Sequence, residues 1–129
     1  MSKRFTAEKP LSGKIARMNA VTSTALPNIL GCRVDSTSYA QAVAQTLQWA
    51  RDGESRCVYV ANVHMVMEAY DVPSFKTLMN QADLVTPDGV PLVWMLRRLG
   101  YPRQERVYGP ELTLRLVQAA AQQGIPVGF

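Results

Sequence analysis

The chain has 129 residues, 47% hydrophobic and 19% charged, a balance that suits one globular domain with its own core and excludes a disordered protein. No apolar run nears the eighteen or so residues of a membrane-spanning helix, and the polar, basic N-terminus is no secretory signal, so the cytosol is the expected compartment. The formal charge of +4 sits in residues 1–26, which hold five of the 14 basic residues and one of the ten acidic ones, leaving nine against nine elsewhere.

Residues 1–26 mix Ser, Thr, Lys and Pro without a sustained period and read as a basic, flexible leader ahead of a domain at 28–129. The neutral remainder carries no basic excess of the kind nucleic acid attracts, and no nucleic-acid partner is expected. "NILGCRV" (28–34) predicts a short strand. "DSTS" then signals a turn and helix cap, and a helix runs over 39–51 with Ala40, Val43, Ala44, Leu47 and Ala50 on one stripe, closed by Gly53. "CVYVAN" (57–62), a continuous apolar run ended by Asn, predicts a strand buried on both faces. Helices follow over 64–70 and from Pro73 to about Asn80, then a third strand in "ADLVTP" (82–87). Another helix spans 89–99, with Gly100 and Pro102 as its stop, and "PELTLRLVQAAAQQG" (110–124) is an amphipathic helix with Gly124 as its C-cap. "IPVGF" (125–129) begins a fourth strand. Cys32 and Cys57 lie in apolar segments without metal-ligand spacing and read as reduced core thiols.

Strands alternating with helices predict an α/β fold built on a parallel sheet. A sheet that stops on an incipient core strand has an unfinished edge, so the chain is expected to be truncated at its C-terminus, part of a longer protein. In such sheets ligands bind beyond the carboxyl ends of the strands, where Asn62 and Asp88 fall.

Several chemistries are removed by what the sequence lacks: there is no G-x-G-x-x-G, no G-x-x-x-x-G-K-[ST], no D-x-D pair, and His64 is the single histidine. No metal site is expected. One constellation remains: Asn62 and His64 after the second strand, Asp88 and Gly89 after the third, and Arg97, Arg98, Arg103 and Arg106 beyond them. A carboxylate at a strand end can take a proton from an acceptor hydroxyl, with Pro87 fixing its approach and Gly89 admitting a ligand close to the backbone. Equally, Asp is a favoured helix cap and P-D-G is ordinary turn chemistry. Asn62 and His64 have the same two readings. The arginines either grip a diphosphate by paired contacts or form a solvated basic helix end.

The run "VANVHMVMEA…FKTLMNQADLVTPDGVPLVWMLRRLG…RVYGPEL" resembles the WecG/TagA/CpsF glycosyltransferases over about 28–129. The resemblance implies a Rossmann-like parallel sheet with flanking helices. It also implies an inverting, metal-independent transfer of an N-acetylhexosamine, commonly N-acetylmannosamine, from a UDP-sugar to a polyprenyl-diphosphate-linked sugar, with no cofactor. Such enzymes serve bacterial surface polysaccharide and teichoic acid synthesis. They act from the cytoplasmic side, peripheral at the inner face of the cytoplasmic membrane, through a basic C-terminal segment that lies beyond residue 129. Asp88 falls on the family's proposed catalytic base, Asn62 on its strand-end asparagine, and Arg106 and Gly109 on its R-x-x-G; His64 and Gly89 then line the substrate site. Self-association is left open. One departure stands out: relatives often carry threonine where this chain has Val60, so a hydroxyl thought to touch substrate is missing.

The competing expectation is a non-catalytic, truncated module of the same fold that binds a nucleotide or a partner. On either reading, half a site implies little or no transfer by the 129-residue chain alone. Limited proteolysis is expected to remove residues 1–26 first and to leave 28–129 intact; early cuts within 57–124 with the leader retained would contradict this domain boundary.

Overall fold

The computed structural model describes residues 26–129, so the predicted leader lies, save for Leu26, outside the described residues. The chain from there is mixed α/β. It runs β1 (Asn28–Ile29), β2 (Cys32–Arg33), α1 (Tyr39–Arg51), β3 (Val58–Ala61), α2 (Val63–Asp71), α3 (Pro73–Asn80), β4 (Leu84–Pro87), α4 (Val90–Arg98) and α5 (Gly109–Gln122).

β3 and β4 are parallel neighbours with Val58 opposite Leu84 and Ala61 opposite Pro87. Alternation sends their side chains to two cores. Tyr59, Ala61 and Val85 pack with Val66 and Ala69 of α2, Met79 of α3 and Leu92 and Leu96 of α4. Val60 and Leu84 face the other way, onto Ala42 and Val43 of α1, Val107 and Leu112 of α5. The edge of β4 away from β3 is covered by two short extended pieces: Asp35 donates its N–H to the Val85 carbonyl at 2.8 Å, and Val107 donates to the Pro87 carbonyl at 2.8 Å. Gln104 ties the two pieces together, its side-chain amide accepting from the Thr37 N–H at 3.0 Å and donating to the Thr37 carbonyl at 2.6 Å.

Four expectations are corrected. Residues 28–34 form no single strand but an antiparallel hairpin, because Leu30 and Gly31 both have positive φ (55° and 82°) and reverse the chain between Ile29 and Cys32. Residues 125–129 form no strand: Gly124, at φ 71°, and Ile125 bond back to Ala121 and Ala120 as a helix-ending motif, and Phe129 beyond it is fully exposed. The described residues thus hold a parallel pair and a hairpin in place of a four-stranded parallel sheet. On α1, Ala42 and Leu47 are buried while Ala40, Ala44 and Ala50 stay exposed, since the large Tyr39, Val43 and Leu47 side chains decide which face meets α5. Finally, Cys32 is buried, with its thiol pushed up by burial, but Cys57 is exposed one residue before β3.

Asp35 is the polar anchor of this layer. Its carboxylate takes the Arg33 Nε at 3.0 and 3.1 Å and the Val85 N–H at 2.8 Å, while Arg33 also donates to the Ala82 and Asp83 carbonyls. Removing the Asp35 carboxylate strands the buried Val85 N–H and the part-buried Arg33 guanidinium. Asp35→Ala is therefore expected to cost about 3–5 kcal/mol in urea denaturation, far beyond the small loss expected for exposed Asp52.

Candidate active site

Because Ala61 and Pro87 are register partners, Asn62 and Asp88 leave the sheet at the same carboxyl edge. The Asp88 and Gly89 N–H groups both donate to the Ala61 carbonyl, at 2.8 and 3.3 Å, which turns the chain from β4 into α4. Asp88 does not cap that helix: the cap position is Gly89, with no side-chain bond. Its carboxylate points instead across the edge to α5. Oδ2 accepts the Gly109 N–H at 3.2 Å, and Oδ1 accepts Arg106 Nε and Nη2 at 3.0 and 2.9 Å. The positive end of α5 and a guanidinium thus hold one carboxylate in place. About 19% of the side chain remains exposed, enough for a third group to reach it.

The surroundings of Asp88 are shaped by glycine on both sides. A side chain at Gly89 would touch the Val63 nitrogen and Asn62 Cα at 3.4 and 3.5 Å, so α2 and α4 start in contact. A methyl at Gly109 would lie 3.2 Å from Val60 Cγ1 and 3.5 Å from Asp88 Oδ2. Val60 therefore fills the floor of the site beneath α5. Opposite it in the register stands Thr86, fully buried, whose hydroxyl has no hydrogen-bond partner among the described residues.

Not all the residues singled out in the sequence meet. Asn62 caps α2, its Oδ1 accepting the Met65 N–H at 2.9 Å, so its oxygen is engaged in structure. His64 stands 84% exposed on α2, 3.5 Å from Glu68, and takes no part in the Asp88 cluster. Arg97 is spent on the Gln104 carbonyl at 2.8 Å. Arg106 alone of the four arginines reaches Asp88. Together with Arg103 it walls a cleft of about 570 Å³ between the 100–107 loop and Ser38 at the start of α1.

Two residues that sequence reading passed over organise this cluster. Tyr39 accepts the Tyr108 N–H on its hydroxyl at 2.9 Å, fixing the start of α5. The Tyr39 ring lies under the Arg115 guanidinium at 4.3 Å, and the Tyr108 ring under Arg106 at 4.5 Å. A tyrosine opening a helix carries no sequence signal of such a role; the contact spans 69 positions.

A family model described as the Glycosyl transferase WecG/TagA/CpsF family matches residues 27–129. Over 72 residues the chain is 31% identical to an N-acetylglucosaminyldiphosphoundecaprenol N-acetyl-beta-D-mannosaminyltransferase of Bacillus spizizenii; the match takes in 56% of this chain and 28% of that relative.

The contact between Gly109 and Val60 is testable by itself. Gly109→Ala is expected to lower stability by about 1–2 kcal/mol, because Val60 must give way. In the Val60→Ala background the same change should cost little or add stability, since alanine favours the helix once the clash is gone. Additive losses in the double variant would show that the two do not compete for space.

Proposed function

Starting from a chain that belongs to the WecG/TagA/CpsF family of glycosyltransferases, we propose that these residues carry the catalytic base and part of the donor site of an N-acetylhexosaminyltransferase. The donor is a UDP-sugar of the N-acetylmannosamine type. The acceptor is a polyprenyl-diphosphate-linked sugar, as in bacterial surface polysaccharide or teichoic acid synthesis. The relative's name, which pairs a diphosphoundecaprenol acceptor with an N-acetylmannosaminyl group, supports this choice.

The observation that carries the proposal is the setting of the Asp88 carboxylate: at the open edge of the parallel pair, fixed by Gly109 and Arg106, and still reachable. In an inverting displacement the acceptor oxygen attacks the anomeric carbon, the bond from that carbon to the UDP oxygen breaks with its electron pair leaving on UDP, and the hydroxyl proton passes to Asp88. The base must be in hydrogen-bond reach of that proton and unable to drift. Gly109 supplies the rigidity. Arg106, 48% exposed and hinged on the Tyr108 ring, is the group that can turn from Asp88 to the developing negative charge of the diphosphate. Such a turn frees the carboxylate as the donor settles, and guanidinium supplies positive charge at the leaving group.

Asp88→Asn keeps the shape and an oxygen for the Gly109 N–H but cannot accept the proton. Expressed in the full reading frame that encodes this chain, the variant is expected to lose roughly 100- to 10,000-fold in transfer to a synthetic polyprenyl-diphosphate acceptor. UDP-sugar affinity should change little. Wild-type turnover in Asp88→Asn would remove Asp88 as base, and UDP binding without any turnover in the parent protein would favour a non-catalytic nucleotide-binding module.

A further inference from the structure

α5 begins without a side-chain cap of its own. Its first amides are held from two other elements instead. The Tyr108 N–H donates to the Tyr39 hydroxyl at the start of α1, at 2.9 Å, and the Gly109 N–H donates to Asp88 Oδ2 at the end of β4, at 3.2 Å. Pro110, the next residue, has no N–H to give. The two bonds fall on consecutive residues, so one peptide unit links them. Glycine holds a backbone orientation least well by itself. Its neighbours hold it here, Pro110 by restricting the residue before it and Tyr108 by its bond to Tyr39.

The Tyr39 ring is placed without its hydroxyl. It packs against the cluster of Ala42, Val107 and Leu112. The Arg115 guanidinium, itself bonded to Glu111 at 2.7 Å, lies over the ring at 4.3 Å. Phenylalanine would meet those contacts equally well. What the oxygen adds is one bond, to the amide next to the one that holds Asp88.

We propose that Tyr39 is a positioning residue for the Asp88 carboxylate, acting through Tyr108 and Gly109 and not by contact with substrate. The inference rests on the proposed role of Asp88 as base. A base must be fixed as well as near, and a displacement of about 1 Å can lower a rate about 100-fold. Without the hydroxyl, the Tyr108–Gly109 peptide gains freedom to rotate. The carboxylate then keeps Arg106 as its firm anchor, a guanidinium on a side chain 48% exposed, and loses the fixed backbone donor.

Tyr39→Phe separates the oxygen from the ring. In protein expressed from the full reading frame that encodes this chain, amide exchange at Tyr108 and Gly109 should quicken roughly tenfold, with α1 and the rest of α5 unchanged. The kcat for transfer should fall roughly 10- to 100-fold while UDP-sugar affinity holds. Coupling to Asp88 is the readout that a merely structural contact would not produce. Placed on Asp88→Asn, Tyr39→Phe should lower transfer no further, since the group it positions no longer takes the proton. Wild-type kcat in Tyr39→Phe, with or without a lower melting temperature, would overturn the proposal and leave the hydroxyl a contact of structure alone. Losses that multiply in the double variant would overturn it too, because Tyr39 would then act elsewhere than on Asp88. Wild-type turnover in Asp88→Asn by itself is a different failure: it removes the base, and with it the role assigned to Tyr39.

Discussion

Hydrogen bonds along both edges of β4 are the constraint on which the rest of the structure depends. A two-stranded parallel pair leaves each strand half unsatisfied, and parallel sheets are stable when buried and flanked. Here the second edge of β4 is closed by Asp35, before α1, and Val107, before α5, and their segments are clasped together by Gln104 and Thr37. With both edges paired, Val85, Thr86 and Pro87 are buried and the strand end is rigid. The next residue, Asp88, therefore starts from a fixed position. The part-buried Arg33–Asp35 pair serves the same end, Asp35 holding the Val85 N–H.

Asp88 then does for α5 what helix caps do locally, but from 21 residues away. The Gly109 N–H is one of the donors that a helix start leaves without an internal partner. Its satisfaction by a carboxylate from another element welds the strand end to α5, and Arg106, between them in sequence, closes the loop by binding both the Asp88 side chain and its carbonyl. The structural role is compatible with the proposed catalytic one: a carboxylate anchored on one oxygen by a backbone N–H keeps the geometry that proton transfer would require.

Much of the architecture was legible in the sequence because punctuation and period agreed. Pro73, Pro91 and Pro110 sit in first helical turns, Ser38 within the predicted cap segment and Asn62 are helix caps, and Gly124 ends α5 as its position suggested. The misreadings have two causes, local turns that residue type did not signal and contacts between residues far apart. Leucine is a poor marker for a positive-φ turn, so the Leu30–Gly31 reversal hid inside an apolar run. The stripe on α1 was counted by residue type, yet alanines weigh little against Tyr39 and Leu47 once α5 arrives. Cys57 lies outside the strand it was assigned to. At the site, Asp88 and Asn62 could be placed at one edge from the ends of two apolar runs, and Arg106 stood among four candidate arginines, but nothing local joined it to Asp88, and only family resemblance named Gly109. Tyr39 had no signal at all.

Val60 brings these strands of argument to one point. Family resemblance leads one to expect a hydroxyl at this position, and valine instead presses its methyl groups toward Gly109. A methyl at position 109 would lie 3.2 Å from Val60 Cγ1 and 3.5 Å from Asp88 Oδ2, so Val60 would have to give by a few tenths of an ångström to admit it. A hydroxyl does stand in the neighbourhood, since Thr86 lies opposite Val60 on the same face, buried and without a hydrogen-bond partner among the described residues. An unsatisfied buried hydroxyl costs stability unless something uses it. The floor of the site thus trades a polar group on β3 for tighter packing against α5, and the position of the Asp88 carboxylate comes to rest on apolar contact below and hydrogen bonds above.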